Sequence, residues 1–246
     1  MGVISFSEQD GIRYLHFGSR WVQGAMRIDR PDDLALAYIR DMMAWLMLLD
    51  PPREILQLGL GAAALTRFCY HRMPESRITA VEIDRDVVRA ARQWFGLPAP
   101  DGRLRVHVGD AGRFVARPSL AGRFGVVQVD LYDADAAGPV QDSARFYGHC
   151  HRLLAEPGIL VVNLFGRHAS FARSANRVAQ RFGQTALLDP LEAGNQVLFA
   201  FKGPPIVARR RWLMERARLV RERYGLATTR WVQAFGASFA VAPPPS

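Results

Sequence analysis

Four carboxylates in this chain stand at or just past the ends of apolar runs, where side chains converge if those runs are parallel strands. Glu82 closes Ile78–Val81, Asp110 follows Leu104–Val108 and a glycine, Asp130 closes Val126–Val129, and Asp133 comes three residues later. A carboxylate can accept hydrogen bonds from hydroxyls, take a proton from an amine, or steady a cation. Upstream, Gly59-Leu60-Gly61-Ala62-Ala63-Ala64 formally satisfies the GxGxxG/A pattern of a nucleoside-binding turn. Gly59 and Gly61 let the backbone bend sharply and approach a ligand, and the following helix aims its unpaired N–H groups at the same point. Glu82 lies at about the spacing (~20 residues) from which an acid reaches both ribose hydroxyls.

The elements that must position these groups follow from the hydrophobic pattern. Ile4 and Phe6 alternate with serines, Asp10-Gly11 marks a hairpin turn, and Ile12, Tyr14 and Phe17 continue the pairing, with Trp21-Val22-Gln23 as a third short strand. From Pro31 the period changes to 3.6, and Leu36, Ile39, Met43, Leu46 and Met47 predict an amphipathic helix that Pro51-Pro52 ends. Strands at 54–59, 77–83, 104–109, 124–131 and 159–165 alternate with helices at 62–72, 84–95, 111–117, 142–154 and 168–182. Two last strands, 184–189 and 196–202, are joined by a link too short for a crossover helix and should be antiparallel. The expectation is an α/β fold with a doubly wound, mostly parallel seven-stranded sheet. Its parts are a small N-terminal β element (1–30), a catalytic domain (31–203), and a basic C-terminal helix and tail (204–246). Arginine-rich Ile206–Tyr224 reads as a helix docked on the domain, with nucleic-acid contact the lesser alternative, and Ala242–Ser246 as a disordered end.

Composition narrows the function classes. A hydrophobic fraction of 49% and a charged fraction of 22% are ordinary for a globular protein. No apolar run approaches the ~20 residues of a membrane span, and the N-terminus lacks the pattern of a signal peptide, so a cytoplasmic protein is expected. Cys69 and Cys150 are far apart and read as buried reduced thiols; no metal site is expected. The net charge of +9 is almost wholly arginine, Lys202 being the only lysine.

The glycine turn alone does not separate NAD from S-adenosylmethionine (AdoMet). Asp110, suited to an adenine amino group, the Asp130 and Asp133 pair beyond a strand end, and the closing antiparallel pair favour the AdoMet type of nucleoside. With these residues in place, the chain resembles the spermidine synthase (polyamine aminopropyltransferase) family. The likeness rests on Gln23, Tyr38, the Gly59–Gly61 loop, Val81-Glu82-Ile83-Asp84, Gly109-Asp110, Asp130 with Asp133, and Phe146-Tyr147. It implies that decarboxylated AdoMet or AdoMet is the co-substrate, a small-molecule amine the acceptor, and a homodimer the assembly. It also implies that Gln23 and Glu82 hold the thioadenosine and Asp110 meets the adenine, with Gly59, Gly61, Ile83, Ala111 and Pro139 completing that pocket. Asp130 would accept the amine's proton, with Asp133 and Tyr38 orienting the acceptor.

Departures from the family pattern fall on the amine side. Ala62 stands where the family loop G-G-G-D-G has its acid, Ile39 replaces the polar residue after the tyrosine, and D-S-x-D-P becomes Asp130-Leu131-Tyr132-Asp133-Ala134. A doubly charged diamine such as putrescine should therefore bind weakly. An AdoMet-dependent methyltransferase on the same scaffold, and a nucleoside-binding protein whose catalysis has decayed, are the competing readings.

Overall fold

In chain order the secondary structure opens with three antiparallel strands, β1 (Ile4–Gln9), β2 (Ile12–Phe17) and β3 (Gly24–Arg27), then a short helix α1 (Ala37–Asp41). A parallel-sheet series follows: β4 (Glu54–Leu58), α2 (Ala64–Arg72), β5 (Arg77–Glu82), α3 (Arg85–Trp94), β6 (Leu104–Val108), α4 (Ala111–Val115), β7 (Phe124–Val129), α5 (Ala144–Leu153) and β8 (Leu154–Phe165). It ends with α6 (Phe171–Phe182), β9 (Gln184–Leu187), β10 (Asn195–Lys202), α7 (Arg210–Tyr224) and α8 (Thr229–Ser238). The computed structural model describes residues 4–18, 22–132, 141–165, 170–191 and 193–239.

The least interrupted apolar runs lie at the middle of the large sheet. Every residue of β7, and all of β4 after Glu54, is buried, as expected where helices cover both faces. The sheet order is β6-β5-β4-β7-β8-β10-β9; β10 runs antiparallel to both of its neighbours, and the pairs from β6 to β8 are parallel. The expected seven-stranded doubly wound sheet is thus observed, with its antiparallel closure.

Two buried glutamines tie the centre together. Gln57 on β4 donates to Gln128 on β7 (3.0 Å) and accepts from the Thr66 hydroxyl on α2 (2.7 Å). Gln128 in turn donates to the Met42 carbonyl just past α1 (3.1 Å), so the sheet holds the end of the helix that carries Tyr38. A second anchor comes from the C-terminus. Buried Asp41 accepts from the Trp231 indole (2.8 Å) and from Arg230 (3.0 Å), fastening α8 to α1.

The structure corrects three local expectations. The long helix from Pro31 is instead α1 followed by a 3₁₀ turn at Ala44–Met47. Arg40 satisfies the carbonyls of Leu34 and Ala35, which a continuous helix would have used, and Met42 to Met47 are all buried, leaving no polar face to make an amphipathic helix. The third N-terminal strand is β3, one register beyond Trp21-Val22-Gln23; Trp21 lies outside the described residues. Gly24 starts that strand because any Cβ there would lie 2.6 Å from the Ala62 Cβ. Helix α8 was not expected at all. Ala242–Ser246 lies outside the described residues. Asp10-Gly11 does form the hairpin turn, both residues taking positive φ (51° and 72°).

Buried Arg67 joins the small sheet's connection to the large one. Its guanidinium donates to the carbonyls of Pro31, Ala62 and Phe95, on three separate loops, and burial draws its pKa down to about 10. Among the described residues, no helix is long and apolar enough to cross a membrane, and no group of three metal-ligating side chains forms.

Candidate active site

At the C-terminal ends of the parallel strands lies a cavity of about 430 Å³, within the range of small-molecule sites. It gathers Gln23, Tyr38, Gly59, Gly61, Glu82, Ile83, Asp110, Ala111 and Asp130, residues expected at the site from widely separated parts of the chain. Asp133 and Pro139 lie outside the described residues.

One half of the cavity lies over β4, β5 and β6. Gly59 leaves β4 with φ 92°, a conformation L side chains rarely adopt, and a Cβ there would stand 2.1 Å from the Asp130 carbonyl oxygen. The glycine turn is therefore wedged against the end of β7. Glu82, at the end of β5, accepts from the Leu60 N–H and from the Asp84 N–H, each at 3.0 Å, one on each carboxylate oxygen. Burial raises its pKa while these backbone donors pull it down. Each oxygen keeps acceptor capacity for one hydroxyl of a vicinal diol. Asp110 caps α4 through the Arg113 N–H (2.7 Å) and also accepts from Gln141 (3.3 Å), so one carboxylate serves both helix and cavity. Asp84 is the N-cap of α3, accepting from the Asp86 N–H.

Ala62 does not line the cavity. Its side chain is buried with Leu15, Met26 and Phe95 beneath the N-terminal sheet. The amine-side departure inferred at this position is thus turned away from the ligand space in this structure.

The other half lies over β7, β8 and β10. Asp130, just past β7, is hydrogen-bonded by Tyr38 of α1 and accepts from the Asn163 side chain of β8 at 2.9 Å. Asn163 accepts in turn from Asn195 at the start of β10 (3.1 Å), and its carbonyl accepts from the Tyr132 hydroxyl (2.9 Å). Burial lifts the Asp130 carboxyl above the usual aspartate range, against the two donors that stabilise its ionised form. The Tyr38 hydroxyl is pushed well above its ordinary pKa by burial and by Asp130, so it stays a donor. This is a desolvated carboxylate held by neutral donors, suited to steadying or deprotonating one ammonium group.

Asn163, Asn195, Gln141 and Leu191 line the cavity and were not singled out from the sequence. Asn163 was the findable one, a lone amide within the apolar run Ile159–Phe165. Phe146 and Tyr147 are buried, and the Tyr147 hydroxyl donates to Asp142 (3.1 Å), which Arg177 also binds (2.7 Å).

Residues 35–182 match the family model of the spermine/spermidine synthase domain. The chain belongs to that family. Over 237 residues it is 31% identical to the polyamine aminopropyltransferase of Neisseria meningitidis serogroup A, covering 96% of this chain and 89% of the relative. A probable spermidine synthase from Corynebacterium glutamicum shares the fold with a TM-score of 0.71 at 21% identity, covering 99% of this chain and 94% of that one. The human eEF1A lysine and N-terminal methyltransferase is 32% identical over 133 residues, covering 49% of this chain and 19% of that protein.

Proposed function

We propose that the protein is an aminopropyltransferase of polyamine biosynthesis, acting on an amine with decarboxylated AdoMet as donor. The observation that carries this reading is Asp130, half-buried and fixed by Tyr38 and Asn163, in the same cavity as Glu82 and Asp110. The residues present fit such a donor. Glu82 is fixed by two backbone donors with capacity left for a ribose, Gly59 leaves room no Cβ would allow, and Asp110 faces the same space. When bound, the donor supplies an electrophilic carbon beside a sulfonium. The acceptor nitrogen forms the new C–N bond as the C–S bond breaks; its electron pair stays on sulfur as the thioether of methylthioadenosine, and the nitrogen gives one proton to Asp130. Tyr38 and Asn163 hold the carboxylate in place and favour its ionised form, opposing the rise in pKa that burial causes.

Turnover tests the reading. With decarboxylated AdoMet and a panel of amines, methylthioadenosine should form only when an amine is present, and Asp130→Asn should nearly abolish it. No product with any amine, or an unimpaired Asp130→Asn variant, would overturn the proposal. Methyl transfer is the second reading, favoured by the similarity to the human methyltransferase. Tighter binding of AdoMet than of its decarboxylated form would support it.

A further inference from the structure

We infer that Gln141 reads the nucleobase at the end of the cavity furthest from Asp130, selecting a 6-amino purine over a 6-oxo purine. This deepens the nucleoside reading of the half over β4, β5 and β6, on which it rests. The strand order sets how a nucleoside must lie. Asp130, Gly59, Glu82 and Asp110 stand at or just past the ends of β7, β4, β5 and β6, four successive neighbours in the sheet. At ~4.8 Å between strands, Asp130 and Asp110 are separated by about 14 Å across the sheet. With the reacting carbon beside Asp130 and the ribose at Glu82, the base falls over β6, where Asp110 and Gln141 line the cavity.

Gln141 is fixed there from two sides. Its amide Nε2 donates to Asp110 Oδ2 (3.3 Å), while Asp110 Oδ1 takes the Arg113 N–H (2.7 Å). The amide lies over Gly112, where a Cβ would stand 3.0 Å from Oε1 and 3.1 Å from Nε2. Behind it, the Asp142 carboxylate accepts from the Tyr147 hydroxyl (3.1 Å) and from Arg177 of α6 (2.7 Å). Ser143 then caps α5 through the Phe146 N–H (3.0 Å).

The bond to Asp110 uses one of the amide's two N–H groups and turns its nitrogen end towards that carboxylate. The second N–H and the carbonyl oxygen match N7 and the 6-amino group of adenine together, the pairing by which amide side chains read this base. A 6-oxo purine has two acceptors on that edge, so one end of the amide always meets a like group. Turning the amide over would in addition bring its oxygen against Asp110.

Calorimetry on the full chain tests this, with methylthioadenosine and methylthioinosine as probes. Methylthioadenosine should bind about 30-fold more tightly, within the range for one bidentate amide–adenine pair. Gln141→Leu and Gln141→Met, which keep the bulk and remove the polar groups, should each cut that preference below about five-fold. The loss should fall on methylthioadenosine alone, whereas a merely structural defect would weaken both nucleosides alike. Equal affinities in the parent, or a preference unchanged in both variants, overturns the inference while leaving the nucleoside site standing. Failure of both nucleosides to bind the parent overturns the inference and the nucleoside reading together.

Discussion

Over β4 to β6 the cavity is held by backbone: Glu82 by two main-chain N–H groups, Gly59 by its jam against the Asp130 carbonyl, Asp110 by a helix cap. Over β7, β8 and β10 it is held by side chains from four elements, Tyr38, Asp130, Asn163 and Asn195. A site fixed by backbone is set by a few glycines and acids and tolerates change elsewhere. A site fixed through side chains can be retuned by single substitutions without disturbing the fold. On the proposed reading, the nucleoside falls to the half held by backbone and the acceptor to the half held by side chains.

The sharpest way to break that division is Asp130→Asn. It should lower kcat/KM by about a thousand-fold, within the range for loss of a proton acceptor, while stabilisation by methylthioadenosine on heating stays as in the parent. Gly59→Ala should break both halves at once. The positive φ and the clash with Asp130 predict a loss of about 3 kcal/mol in unfolding free energy, read by urea denaturation. Glu82→Gln should act on the nucleoside half alone, weakening methylthioadenosine by about 30-fold, since hydrogen bonds to charged groups are worth ~1.5–3 kcal/mol, with kcat at saturation little changed.

Asn163→Ala sharpens the acceptor half through pH. Burial raises the Asp130 pKa, so its proton-accepting form is lost as pH falls through that raised value. Asn163 donation opposes the rise; removing it should move the acid limb of kcat to higher pH, with an unmoved limb counting against the arrangement. The smallest effect belongs outside both halves. Arg211 and Arg218 pair with Glu215 and Glu222 one turn along exposed α7, and replacing either arginine by Gln should leave melting temperature and ligand affinity unchanged.

What could be read from the sequence follows the same division. The strands, the glycine turn and the strand-end acids are local signals, visible as runs and spacings. Asn163 and Asn195 were missed because their roles depend on pairings across more than 30 residues, 33 between Asn163 and Asp130 and 32 between Asn195 and Asn163. The segment after Pro31 misled for a related reason. Its apolar residues fit a helical period, yet burial on all sides and capture of two carbonyls by Arg40 favoured a broken path. Ala62 departs from the family loop in the sequence, but only the packing against Gly24 shows which way it faces.

The reversed direction of β10 has an evolutionary consequence. Parallel strands deliver their last residues to the cavity, and each then leads into the crossover helix that follows. Because β10 runs the other way, with Asn195 beside Phe165, it delivers its first residue, reached through a surface link from β9. Such a link can be lengthened, shortened or exchanged without moving any crossover. On the proposed reading, exchanging this one hairpin would change the acceptor wall alone, as a tool takes a new bit in the same handle.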